Sequence, residues 1–156
     1  MLLLLRLFTL VDSDVRKGKK MARPKWKRTP QQARRAIARL DLVKIDAKAM
    51  KLYRWGRPRV DAADDWYRKF LWLCYMHGSP LAAIGKDADD LWHMHILDTP
   101  KYARDCDKIF GTYLSHQPIY GRPTANDRKV YKNSEKLYLA EYSTLPPKPD
   151  IVSGHR

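Results

Sequence analysis

Apolar residues along this chain return every three or four positions and nowhere alternate over a useful length, which predicts helices and no sheet. Thr29-Pro30 supplies a first helix start, a hydroxyl cap followed by a proline whose missing N–H costs nothing in the first turn. Ala36, Leu40, Val43, Ala47 and Met50 then recur at four-three spacing, predicting one long helix or two short ones over 30–54. The run W-G-R-P-R-V (55–60) breaks the pattern, because glycine and proline both resist continuation. A helix over about 61–77 follows, with Trp66, Phe70, Leu73, Cys74 and His77 along one face and Gly78 past its end.

After the loop S-P-L-A-A-I-G, a helix is predicted over about 87–97 and another from Thr99-Pro100 to Gly111, the latter burying Tyr102, Cys106, Ile109 and Phe110. The last helix starts at Thr124, where Asp127 makes a capping-box variant, and its inner stripe is Val130, Tyr131, Ser134, Leu137, Tyr138 and Tyr142. The expectation is an all-α, single-domain bundle of about five helices over 29–143, with a basic arm (1–28) before it and a loose tail (144–156) after it.

Length agrees with that outline, since 156 residues suffice for one domain with a genuine core. Cys74 and Cys106 make no disulfide framework, so a reducing, cytoplasmic setting is expected. The opening M-L-L-L-L-R-L-F-T-L-V is shorter than a membrane span and interrupted by Arg6, and it lacks the flanks of a secretory signal. It reads as a leader or a weak membrane-surface helix, with Met21 as a natural start after it. No transmembrane segment is expected elsewhere.

Charge changes the picture more. The formal net charge is +14, and residues 16–39 hold 11 basic residues and no acid, so the basicity belongs to the N-terminal part of the chain. Lys19, Lys20, Arg23, Lys25, Lys27, Arg28, Arg34 and Arg35 are the candidate phosphate contacts for nucleic acid, with Trp26 and Trp55 as stacking faces. Such a segment is most often just a solvated, disordered tail, and no helix-turn-helix or RNA-binding signature accompanies it.

The candidate chemistry lies elsewhere. Asp89 to His116 gathers three of the five histidines, one of the two cysteines and an aspartate into 28 residues, a donor set suited to a transition metal such as zinc. Positions two apart on a helix point about 200° from each other, so His93 and His95 cannot share one ion. Two ligand sets remain: Asp89 and His93, adjacent at four apart, with His116; or His95 in the apolar arc, with Cys106 and His116. Each has a plain alternative. His95 reads as a hydrogen-bonded core histidine, Asp89–His93 as an intrahelical pair, and Cys106 as a small buried hydrophobe.

The run D-D-L-W-H-M-H-I-L-D-T-P-K-Y-A-R-D-C-D-K-I-F-G-T-Y-L-S-H-Q-P resembles the core of the glycine-rich domain-containing-protein-like family. The positions carrying the resemblance are Asp89, Trp92, His93, His95, Tyr102, Asp105, Cys106, Gly111, His116 and Pro118. It extends over about 62–142, through W-Y-R-K-F-L-W-L before the motif and Leu137-Tyr138 after it, and Ser115 stands where the family often has another histidine. It implies a short single-module version without the glycine-rich domain, from a family whose plant members are linked to stress and development and to a suggested binding of RNA.

Three functions compete. One is a helical metal-binding module acting as a binding or regulatory protein through protein contacts. A second is nucleic-acid binding through residues 16–39. The third is a metal-dependent hydrolase that activates water at Asp89, His93 and His116, or uses His93 as a base and Cys106 as a nucleophile. No glycine-rich phosphate loop, nucleophile elbow or H-E-x-x-H supports an enzyme.

Overall fold

The computed structural model describes residues 26–147 apart from 80 and 84. Lys19, Lys20, Arg23 and Lys25, the leader, and most of the expected tail therefore lie outside the described residues. Six α-helices and no strand occur among them: α1 Pro30–Ala38, α2 Val43–Tyr53, α3 Arg57–His77, α4 Lys86–Leu97, α5 Thr99–Phe110 and α6 Ala125–Tyr142.

Of the two readings of 30–54, two short helices is the one that forms, and the break between them shifts the buried face. Ala33 and Ile37 of α1 and Ile45 and Ala49 of α2 are buried, whereas Val43 is 72% exposed and Ala47 also faces solvent. Leu40 and Leu42 both turn into the core across the break, and the Asp41 carboxylate accepts the Val43 N–H at 3.1 Å. Carbonyls at the end of α1 are satisfied from outside: the Arg68 guanidinium, paired with Asp64, donates to the carbonyls of Ile37 and Leu40. A polar group thus holds the corner where the periodicity alone ran straight through.

Helix α3 begins at Arg57, earlier than the sequence pattern indicates. Pro58 sits in its first turn, where it fits, and the break shrinks to the residues around Arg54, whose φ of 54° ends α2. From Trp66 to Tyr75 nearly every side chain is buried, not one stripe only. A helix apolar all round is a central helix, and α1, α2 and α4 all pack against α3. On its remaining side, α6 lays Tyr138 and Tyr142 against Trp66, with ring centroids 5.9 and 6.3 Å away. Tyr131, expected on the α6 inner stripe, is 45% exposed.

Both chain ends of the described body are tied down. Trp26 donates its indole N–H to the Tyr75 carbonyl at 2.7 Å and packs on Phe110 at 4.9 Å. Lys27 N–H bonds the Phe110 carbonyl, and Arg28 pairs with Asp107 at 2.7 Å. At the other end Pro146 is buried and lies against Gly85, so the packed body runs from 26 to at least 146. No described helix is long and apolar enough to cross a membrane.

Candidate metal centre

Helix α4 carries the motif and turns sharply into α5. Asp98 is the only residue between them, and its carboxylate caps α5 through the Lys101 N–H at 3.4 Å. Around this corner the Trp92 indole N–H meets the Tyr102 hydroxyl at 3.0 Å, and that hydroxyl donates to the Leu114 carbonyl at 2.8 Å. Buried Leu114 thereby anchors the loop that follows α5, and His116 arrives two residues later beside α4.

There the structure brings together Asp89, His93 and His116. One ligand atom from each lies within 4.8 Å of the others. The two imidazole Nε2 atoms face each other at 3.0 Å, and His93 Nδ1 lies 3.3 Å from the Asp89 carboxylate. Trp92 positions both rings: His93 is roughly parallel to the indole, and His116 meets it edge-on at 4.7 Å between centroids. Two imidazole nitrogens on one tetrahedral zinc, each at about 2.0–2.1 Å, sit about 3.3 Å apart, so the observed spacing is close to that of a chelate.

The electrostatics follow from a half-buried site. Burial raises the Asp89 carboxyl above its usual range, against the downward pull of His93 and His116. Burial lowers the His116 imidazole, helped by the neighbouring His93 and opposed by Asp89. A lowered imidazole stays neutral and keeps a lone pair at physiological pH, which is the form a metal binds. The two Nε2 atoms share one hydrogen bond, in which one imidazole donates its N–H to the lone pair of the other, and a cation between them would take the place of that proton.

His95 and Cys106 lie outside this group. Both His95 nitrogens are engaged in the core, Nδ1 with the Tyr67 hydroxyl at 2.9 Å and Nε2 with the Asp105 carboxylate at 3.1 Å. Asp105 also takes Lys101 Nζ at 2.5 Å. This chain is satisfied by a neutral His95, with Tyr67 donating and Nε2–H donating onward, and burial holds the imidazole down to about 4. Cys106 is 2% exposed, and burial raises its thiol, so it is no ready nucleophile. Tyr67 and Asp105 are the partners that reading His95 alone missed. The Lys101–Asp105 pair, four apart on α5, was the available signal.

The basic candidates separate too. Lys27 and Arg28 are docked on the end of α5, and Arg34 lies over the Trp72 ring at 3.8 Å. Arg35 is exposed on α1. Trp26 and Trp55, considered as stacking faces, are spoken for: Trp26 packs on Phe110, and Trp55 is buried beneath the Arg59 guanidinium at 4.8 Å. Comparison with known proteins finds no matching family model, no matching curated protein and no matching solved structure.

Proposed function

We propose that this protein is a small helical metal-binding module that holds a divalent transition ion, zinc being the best fit, through Asp89, His93 and His116, and that it acts by binding rather than by catalysis. The observation that carries the reading is the convergence of an aspartate and two histidines, from a helix and a separately anchored loop, within 4.8 Å. Nitrogen and oxygen donors of this kind suit zinc. His93 Nε2 and His116 Nε2 are the first two ligands. Asp89 serves either as the third or as the acceptor that fixes the His93 tautomer, both familiar roles for a carboxylate beside a metal-bound imidazole. The same residues carry the resemblance to the glycine-rich domain-containing-protein-like family, which belongs with this proposal.

Two or three protein ligands leave coordination positions for solvent or for a partner's side chain. The hydrolytic alternative uses the same opening, with a bound water as nucleophile. It is distinguished by zinc-dependent turnover that disappears with His116→Ala.

The test is zinc affinity measured by competition with a chromophoric chelator for the wild type and for His93→Ala, His116→Ala and Asp89→Asn. Loss of either imidazole is expected to weaken binding by at least about tenfold, and Asp89→Asn by about 10–100-fold. His95→Asn and Cys106→Ala, if folded, should leave the affinity in place. Equal affinity in wild type and His93→Ala/His116→Ala would overturn the reading.

A further inference from the structure

A second site-like feature lies where α1, α2 and α5 meet. Between the end of α1, the start of α2 and the outer face of α5 is a cleft of about 600 Å³. Six cations line it: Arg35, Arg39, Lys44, Lys101, Arg104 and Lys108. Three aspartates line it as well, and each has local work. Asp41 accepts the Val43 N–H, Asp98 caps α5, and Asp105 is held by His95 and Lys101, with Lys108 at 3.5 Å. The balance is an excess of three positive charges, and Arg35, Arg39, Lys44 and Arg104 have no carboxylate partner among the described residues.

Arg35 and Arg39 offset the dipole at the end of α1, but the cleft as a whole gathers more positive charge than its aspartates balance. Arg35 in the last turn of α1 and Arg39 at its C-cap stand four apart and repel each other, and Ala36, Leu40 and Ile109 supply the apolar part of the lining. A compact counter-charge would remove the repulsion. The cavity falls within the range of small-molecule sites, on the order of 300–1,000 Å³. No aromatic ring lines it, so base stacking, the usual grip on single-stranded nucleic acid, is missing.

We propose that this cleft binds a small polyphosphate-bearing anion, two or more phosphates being gripped by Arg35 and Arg39 from one wall and by Arg104 and Lys44 from the others. The Asp105–His95 hydrogen bond fixes the wall of α5 from behind, so the cleft is held by the core of the molecule.

The experiment is calorimetric titration of the full chain with inorganic tripolyphosphate in the presence of EDTA, which separates the outcome from the metal reading. Saturable binding is expected, weakened at least about tenfold in Arg39→Glu/Arg104→Glu and more mildly in Arg39→Gln/Arg104→Gln, and falling steeply with added salt. Lys132→Glu/Lys136→Glu, the same charge change on α6, should leave it intact. No binding, or equal loss in the α6 variant, would overturn the proposal. So would undiminished binding in Arg39→Glu/Arg104→Glu, because the phosphates would then be held elsewhere.

Discussion

Trp92 ties together the residues proposed to hold a metal. Its ring packs on Phe70 at 4.6 Å, its N–H is held by Tyr102, and His93 lies roughly parallel to it while His116 meets it edge-on. Trp92→Phe keeps a ring in the core and removes the N–H, leaving the Tyr102 hydroxyl one donor short. Zinc affinity is expected to fall by about tenfold, with a stability loss of about 1 kcal/mol, read by chelator competition and urea unfolding. Unchanged affinity would show that the rings are placed without it. The two ligand sets were both visible in the sequence because helical spacing made Asp89 and His93 neighbours and put His95 inward. What could not be read was the choice between them, which depends on Tyr67, 28 residues before His95, and on the loop fixed by Leu114. Buried Cys74 and Cys106 carry a separate expectation. A disulfide reagent should label neither thiol in the native protein over minutes, and both after denaturation; rapid native labelling would place one of them at the surface.

At the level of elements, the helices after residue 60 were legible because caps, prolines and glycines mark their ends: Pro100 opens α5, Gly111 closes it at φ 72°, and the Thr124–Asp127 box starts α6. Over 30–54 the choice between one helix and two stayed open, because Leu40 to Ala47 continues an acceptable apolar spacing through the break. That break is stabilised by Arg68, from a different helix. Gly111 also shows how an end position ties two elements together. A side chain there would be strained by the positive φ and would run into Lys27, whose N–H bonds the end of α5. Gly111→Ala is therefore expected to cost about 1–3 kcal/mol and to loosen Trp26 from Phe110. The check is a red shift and easier quenching of tryptophan fluorescence below the unfolding transition. A wild-type spectrum at wild-type stability would contradict the docking of residues 26–28.

For the molecule as a whole, two buried groups act on stability in opposite directions as pH changes. His95 is held down to about 4 in the folded protein, so between about pH 4 and pH 6.5 the unfolded chain binds the extra proton. Stability from this group is complete above that window and is lost as pH falls through it, on the order of 3 kcal/mol. Asp46 is the reverse. It is 6% exposed, its Oδ1 has no hydrogen-bond partner, and burial, with Asp64 nearby, raises its carboxyl to about 6. The folded protein holds that proton longer, so stability falls as pH rises toward 6 and the charge must be buried. Asp46→Asn should accordingly match the wild type near pH 4 and exceed it by about 1–2 kcal/mol near pH 7. Urea unfolding at the two pH values measures the difference, and a gap independent of pH would contradict the burial of a charge there. An aspartate at a core position of an amphipathic helix is the kind of residue a periodicity reading assigns to the surface. The hidden face of α2 became clear only once the Leu40–Leu42 corner fixed its phase.

Asp89, His93 and His116 are the residues proposed to hold the metal, while His95 is a core histidine. Nitrogen NMR of imidazole-labelled protein during zinc titration tests this assignment most directly, because it reports each ring atom separately. The account predicts that Nε2 of His93 and of His116 shift together and saturate with one equivalent of zinc, with His95 unmoved between Tyr67 and Asp105. Zinc-dependent shifts at His95, or none at His93 and His116, would contradict it.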